Sequence, residues 1–506
     1  MTPKDIVKKI EQARVYDVAI KTPLDVLPKL SERLGHKVHL KREDLQPVFS
    51  FKLRGAYNKM IRLNDQQRAQ GVVAASAGNH AQGVALAAKK LGMQALIVMP
   101  ESTPQIKVKA VKKLGGKVLL FGDSFQEAEH EANQIAKKEK RVFIHPYDDA
   151  DVIAGQGTIA KEVLEQHPDK IDIAFVCVGG GGLISGVASY LKSCNPKIKI
   201  IGVEPIEAAS MTESLKAKER VVLPSVGIFA DGAAVKKVGK LNFALCQDLV
   251  DDMVTVTTDE ICAAIKDVFE DTRALLEPAG ALSVAGASKY FAKHKRKKKL
   301  NVVTIASGAN MNFHRLRHVS ERAELGEKRE AIVAVTIPEK PGSFRKLIKL
   351  LGKRQVTEFN YRYADAKSAH VFMGFEIHKP DEAKEIVKHL KAKGFAAVDL
   401  SDNEVAKLHV RHMVGGPYRG EHKELLLRFE FPERVGALSD FLNSLSPNWN
   451  ISLFHYRNHG TDYGRVLVGM EVPEGERLQL KRSMKKLGYS YWEESDNPVC
   501  RLFLSS

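Results

Sequence analysis

The sequence predicts an α/β body followed by two copies of a smaller α+β module. Three observations predict it. Between Lys37 and about Gly308, short apolar runs alternate with helical stretches, the pattern of a mostly parallel sheet covered by helices on both faces. After Glu321 the texture changes, across a charged stretch, Ser320 to Glu330, that reads as a linker. Beyond it the chain repeats itself with a period of 94 residues.

Taken in order, the first element is MTPKDIVKKIEQARVYDV, which alternates charge and apolar residues like an amphipathic helix and lacks the continuous apolar stretch of a signal peptide. Strand-like runs follow at Lys37 to Arg42, Val72 to Ala75, Ala95 to Met99, Val118 to Phe121, Val142 to His145, Ile173 to Val178, Ile200 to Val203 and Val302 to Ala306. Between them, Ala81 to Leu91 and Phe125 to Lys138 are too long for strands and have helical spacing. The uncharged run Ile173 to Leu191 approaches membrane-spanning length, but its five glycines fit a strand, a loop and a helix better. In sheets of this kind ligands bind in the loops that leave the carboxyl ends of the strands, so the ligand loops are expected along one sheet edge.

The repeat is dense. Pro338 to Phe344 answers Pro432 to Leu438, Gly394-Phe395 answers Gly488-Tyr489, and Ser401-Asp402-Asn403 answers Ser495-Asp496-Asn497. Leu408 answers Leu502, and Asn360-Tyr361-Arg362 answers His455-Tyr456-Arg457 with one residue added to the spacing. Each unit reads as strand, Pro/Gly turn, helix, strand, strand, helix, strand, a ferredoxin-like order. The expected boundaries are a body over 1–320, a linker over 321–330 and modules over 331–403 and 425–497. Regulation and a duplicated dimerisation or stability module fit such a pair equally well. Neither copy gathers His, Asp, Glu or Ser into a catalytic set.

Composition excludes several classes. The chain has 506 residues, 78 Lys plus Arg, 61 Asp plus Glu and five cysteines. Cys177, Cys194, Cys246, Cys262 and Cys500 are odd in number and form no C-x-x-C pair, which points to reduced thiols in a cytoplasmic protein without a structural zinc site. The net charge of +17 is spread, with 27 basic against 22 acidic residues after residue 330 and 51 against 39 before it. Its one dense patch, Lys293 to Lys299, follows a predicted helix, and no aromatic residue interleaves the charges. It reads as a solvated helix end, so neither nucleic acid nor membrane is expected as a partner.

Four constellations carry chemistry. In Ser50-Phe51-Lys52-Leu53-Arg54-Gly55-Ala56, a lysine near a helix start meets the positive end of the dipole, which favours the neutral amine needed for Schiff-base chemistry. Most lysines are simply solvated, and alone this signal is weak. Ala75 to Gly83 runs from a strand end into a helix; Ser76, Gly78 and Asn79 there suit a carboxylate or phosphate, although an ordinary Asn/Gly turn reads the same way. Gly179, Gly180, Gly181 and Gly182, followed by Leu183, lie between a strand and a helix, where bare backbone can cradle a phosphate. No Gly-Lys-Ser/Thr follows, so this is not a P-loop, and a dinucleotide fingerprint fits only loosely. Ala306-Ser307-Gly308-Ala309-Asn310 ends the last strand of the body. One lysine, one phosphate loop, one amide and one hydroxyl together are what pyridoxal phosphate needs.

This set resembles the serine/threonine dehydratases of the tryptophan-synthase-β-like, pyridoxal-phosphate-dependent fold, over essentially the whole chain. The C-terminal pair, with Val356 to Tyr363 and Asn450 to Arg457, resembles the tandem ACT-like regulatory region of biosynthetic threonine deaminases. The resemblance implies a two-lobed catalytic domain followed by two ferredoxin-like ACT-like modules. It implies that Lys52 holds the cofactor and abstracts the Cα proton, Asn79 contacts the ring oxygen, Gly179 to Leu183 the phosphate and Ser307 the ring nitrogen. Ser76, Gly78 and Asn79 would hold the substrate carboxylate. It further implies dehydration and deamination of L-threonine to 2-oxobutanoate and ammonia, inhibition by isoleucine with valine as a possible opposing effector, and a homotetramer. Two departures matter. Racemases of this fold carry a second serine where this chain has Ala77, so racemisation should be poor. Where those relatives place a metal-holding aspartate after the glutamate matching Glu204, this chain has Ser210, so no metal is expected. A serine dehydratase or another β-elimination or β-replacement enzyme is the alternative within this chemistry. A non-catalytic nucleotide or amino-acid sensor is the alternative outside it.

Overall fold

The strands of the body sort into two sheets rather than one, which corrects the expectation of a single sheet edge. The computed structural model describes all residues except 168–169, 295–297, 327–328, 339–345, 348–349, 352–355, 364–367, 378, 380, 411–423, 433–436, 447–448, 458–462 and 505–506. The chain divides into two units, Met1–Phe313 and His314–Ser506.

In the first unit, one sheet has the order Leu24–Val26, Lys37–Lys41, Asn301–Ile305, Ile173–Cys177, Lys199–Pro205 and Asp252–Val256. All its pairings are parallel except the first. The other has the order Lys117–Leu120, Ala95–Met99, Val72–Ala75 and Val142–Phe143, parallel throughout. The second sheet is thus inserted between strands of the first. Both obey the same local βα rhythm, so the sequence pattern does not separate them. Every residue of Val72–Ala75 and Ile173–Cys177 is buried, because helices cover both faces; this is why each reads as a continuous apolar run.

Close helix packing sets the ligand loops. Helix Asn79–Leu91 approaches helix Lys52–Met60 so tightly that a Cβ at Gly83 would lie 3.0 Å from the Leu53 backbone nitrogen. Behind the second helix sits a buried ion cluster. Arg54 pairs with Glu43 at 2.7 Å and Glu162 at 2.6 Å, Lys41 pairs with Glu162 at 2.6 Å, and all four side chains are fully buried.

The second unit opens on helix Arg315–Gly326, which runs into the stretch read as a linker. Two antiparallel four-stranded sheets follow. Their orders are Val356–Tyr363, Ser368–Glu376, Glu330–Pro338, Ala396–Asp399, and Asn450–Arg457, Tyr463–Glu471, Glu424–Pro432, Ser490–Glu493. Each runs second, third, first, fourth, the ferredoxin-like arrangement. The repeat extends to single hydrogen bonds: Ile332 N–H donates to Ser401 Oγ and Leu426 N–H to Ser495 Oγ, both at 3.0 Å. The two modules share one apolar core, in which Ile332, Phe372 and Val405 meet their counterparts Leu426, Leu467 and Val499. Asn403 and Asn497, 94 residues apart, bond across it at 3.3 Å. The turn residues Gly342, Phe344 and Gly436, and Lys295 to Lys297 of the basic patch, lie outside the described residues. Among the described residues no helix is long and apolar enough to cross a membrane.

Candidate active site

The four constellations meet where the two sheets of the first unit face each other. Lys52 is the first residue of its helix. The segment before it is tied to the loop after the last strand: Phe51 N–H donates to Ser307 O at 3.3 Å, Ala309 N–H to Phe49 O at 2.9 Å, and Ser50 bridges Gly308. Lysine and Ser307 are therefore held together by backbone. Lys52 Nζ donates to the Pro146 carbonyl at 3.1 Å, and among the described residues no carboxylate forms an ion pair with it. Burial lowers its pKa to about 8, with Cys177 and Glu277 opposing. The amine is thus available as a neutral nucleophile or base near neutral pH.

The Ser76–Asn79 loop arrives from the other sheet. It follows strand Val72–Ala75, and helix Asn79–Leu91 begins without a side-chain cap, leaving its first N–H groups for an anion. Gly78 N–H donates to Ser76 Oγ at 3.2 Å. A Cβ at Gly78 would meet nothing within 4 Å, so this glycine faces open space. Asn79 reaches across to the first sheet, where its Nδ2 donates to Glu277 Oε1 at 2.6 Å and its Oδ1 accepts from Asn310 Nδ2 at 2.7 Å.

The glycine loop follows strand Ile173–Cys177 and enters helix Gly182–Cys194, which is also uncapped. Packing crowds these glycines independently of any ligand, most strongly at Gly180. A Cβ at Gly180 would strike the Tyr147 ring at 2.2 Å, one at Gly179 would lie 3.0 Å from Ala233, and one at Gly182 would lie 3.1 Å from Tyr147. Gly181 has φ +95°, the left-handed region. The four glycines thus have a packing reason that sequence reasoning did not supply. Asn242 holds the loop, donating from Nδ2 to Gly180 O at 2.9 Å and Tyr147 O at 3.1 Å. Leu183, the next residue, is buried.

Ser307 is buried, and its hydroxyl donates to Ala279 O at 3.2 Å. Cys177, at the end of strand Ile173–Cys177, lies close enough to Lys52 for their charges to interact. Burial pushes the Cys177 thiol up to about 11, so it stays protonated. Glu277 is 4% exposed, and burial, then the Asp231 charge, pushes its carboxyl up to about 7. Neither Glu277 nor Cys177 stands out in the sequence as a site residue. The only signal for Glu277 is an acid standing alone in the apolar stretch Ala274 to Ala285. Elsewhere in the unit, Glu204 accepts Met211 N–H and Thr212 N–H at 2.8 Å and the Thr212 hydroxyl at 2.6 Å. It anchors a helix start. Among the described residues no group of three or more His, Cys, Asp or Glu could hold a metal ion.

The donor set fits pyridoxal phosphate: an amine depressed toward neutrality, bare backbone at an uncapped helix start, one amide and one buried hydroxyl. Comparison with known proteins agrees. Residues 15–308 match the family described as pyridoxal-phosphate dependent enzyme, and residues 321–410 and 416–504 each match the C-terminal regulatory domain of threonine dehydratase. The chain is 53% identical over 508 residues to the biosynthetic L-threonine dehydratase of Burkholderia multivorans, covering all of both. It is 50% identical to the mitochondrial threonine dehydratase of Saccharomyces cerevisiae, covering 99% of this chain and 89% of that one. Among solved structures, the processed threonine deaminase isoform 2 of Solanum lycopersicum matches with TM-score 0.62 and 52% identity, over 63% of this chain and 93% of that one. Maize serine racemase matches with TM-score 0.59 and 35% identity, over 62% and 96%.

Proposed function

We propose that this chain, which belongs to the pyridoxal-phosphate dependent enzyme family and carries the C-terminal regulatory domain of threonine dehydratase, converts L-threonine to 2-oxobutanoate and ammonia and opens isoleucine biosynthesis. One observation carries the reading: the match to biosynthetic threonine dehydratases runs through both the body and the paired modules. The body alone would not decide, because it is similar to a serine racemase as well.

Bound pyridoxal phosphate supplies the electron sink that lets a Cα–H bond of an amino acid break. The chain supplies the rest. Lys52 Nζ, partly neutral at physiological pH, would hold the cofactor and take the proton from the threonine Cα. Gly179, Gly180, Gly181, Gly182 and Leu183 offer backbone N–H groups to the phosphate. Asn79 would meet the ring oxygen, and Ser307 would meet the ring nitrogen with a neutral hydroxyl that does not require a protonated ring. Ser76, Gly78 and the backbone N–H of Asn79, at the uncapped helix start, would hold the substrate carboxylate. The β-hydroxyl leaves as water, and the later hydrolysis consumes one water and releases ammonia, so the reaction balances with no net water. The methyl of Ala77 offers no proton to the opposite face of Cα, which favours elimination over racemisation.

The finer features belong to the same proposal: a body over 1–320, regulatory modules over 331–403 and 425–497, isoleucine as inhibitor, a homotetramer and a cytoplasmic location. Lys52→Ala should abolish the visible absorbance of the bound cofactor and lower 2-oxobutanoate production by at least about a thousandfold, as expected for loss of a covalent catalytic group. Retained turnover would refute the assignment. Isoleucine titrated into the full-length enzyme should lower the rate with threonine, and a flat titration would remove the effector from the reading. Serine, offered in parallel, should be turned over more slowly.

A further inference from the structure

Asn79 is one link in a closed hydrogen-bonded chain. Its nitrogen donates to Glu277 Oε1 at 2.6 Å and its oxygen accepts from Asn310 Nδ2 at 2.7 Å. Asn310 Nδ2 also donates to Val48 O at 2.8 Å, and the Asn310 backbone N–H donates to Glu277 Oε2 at 3.1 Å. A backbone carbonyl can only accept and a backbone N–H can only donate, so these last two contacts fix the sense of the others. Val48 requires Asn310 to present its nitrogen. That nitrogen requires Asn79 to present its oxygen. The Asn79 nitrogen is then turned to Glu277. Reversing the Asn79 amide would set its nitrogen against the Asn310 nitrogen, a donor against a donor whatever the state of Glu277, and its oxygen against the ionised form of that carboxyl.

Glu277 itself needs an explanation. It stands at the start of helix Pro278–Lys293, yet its side chain makes no capping bond there. A carboxyl buried at such a position is costly unless donors meet it. Among the described residues two donors meet it, Asn79 and Asn310. Its own backbone is fixed as well, with its N–H donating to Gly308 O at 3.1 Å. After one N–H goes to Glu277, the Asn79 amide has a single hydrogen left, and its direction is set by planarity.

We propose that Glu277 and Asn310 are positioning residues that lock the Asn79 amide so that its remaining N–H is presented, as a fixed donor, to the phenolic oxygen of the cofactor ring. The inference rests on the assignment of Asn79 to that oxygen in the preceding section. A fixed donor lowers the proton affinity of the oxygen it meets. The clamp also spans the two sheets of the body, because Asn79 follows a strand of one while Asn310 follows a strand of the other and Glu277 stands at the start of the helix leading to that strand.

The test uses full-length holoenzyme and reads the pH at which the visible band of the bound cofactor changes, together with cofactor retention on dialysis. Asn79→Ala should move that transition to higher pH by about one unit, the scale of one hydrogen bond to a charged group. Glu277→Ala and Asn310→Ala should reproduce most of the shift and weaken retention about tenfold. The double variant Asn79→Ala with Glu277→Ala should add nothing beyond Asn79→Ala alone. Glu277→Gln can satisfy only one of its two donors, so it should fall between wild type and Glu277→Ala; it and Asn310→Ala carry the test if Glu277→Ala does not fold. Wild-type spectra from Glu277→Gln and Asn310→Ala, beside a shifted Asn79→Ala, would overturn the clamp alone. A wild-type spectrum from Asn79→Ala would overturn the assignment of Asn79 and the clamp with it.

Discussion

Lys52 and Arg54 sit two residues apart on one helix, about 200° around its axis, and so face two different regions. Lys52 points into the candidate site, where among the described residues its hydrogen-bond partner is the Pro146 carbonyl, and its amine falls to about 8. Arg54 enters the ion cluster, where Glu43 and Glu162 hold it and raise its pKa against the pull of burial. The difference teaches that burial alone does not decide charge; the supply of counter-charge does. It also shows why the residue types are not interchangeable. An arginine cannot give up its proton and needs the carboxylates, whereas a lysine without them becomes a neutral amine, which the proposed chemistry requires.

The comparison can be broken from the cluster side. Glu162→Ala strips Arg54 and Lys41 of a shared carboxylate and leaves uncompensated buried charge, so it should lower unfolding stability by about 3–5 kcal/mol, read from the denaturant midpoint. An unchanged midpoint would mean that the cluster contributes nothing net. It can be sharpened from the pocket side. Cofactor added to stripped wild-type protein should be captured faster as pH rises, with a midpoint near 8. Cys177→Asp sets a carboxylate beside Lys52, and the midpoint should move up by about one unit or more. The same depressed pKa acts on stability. Between about 8 and the ordinary 10.5 the unfolded chain binds the extra proton, so stripped wild-type protein should gain stability with rising pH relative to Lys52→Met. The smallest effect is expected at the surface. Lys21 and Glu165 pair at 2.6 Å but are about half exposed, and Lys21→Ala should leave the unfolding midpoint unmoved.

Much of this was legible in the sequence, and the gaps have physical causes. Phe125–Lys138 was read at its observed limits and Val72–Ala75 likewise, because burial on one face or two writes a local period into the chain. Which sheet a strand joins leaves no such mark. Asn301–Ile305 pairs with Lys37–Lys41 across most of the body, and nothing near either strand records it. The site follows the same rule. Lys52, Asn79, the glycines and Ser307 stand in strand–loop–helix contexts that sequence shows directly. Glu277 and Asn242 act through partners 198 and 62 residues away, so only the folded chain reveals them. The packing of Tyr147 against Gly180 and Gly182 is of this kind too, and it explains glycines that sequence reasoning credits to phosphate alone.

The bond between Asn403 and Asn497 has a consequence for how the paired modules respond to dilution. Like positions meet like positions across their shared core, which is the signature of a two-fold dimer, yet both halves belong to one chain. Joining them converts an association into an intramolecular event whose effective concentration is set by the tether and not by the cell. A pair of separate modules would come apart as expression fell. This pair keeps its interface at any protein concentration, and an effector that distinguishes two arrangements of it encounters the same equilibrium in every molecule.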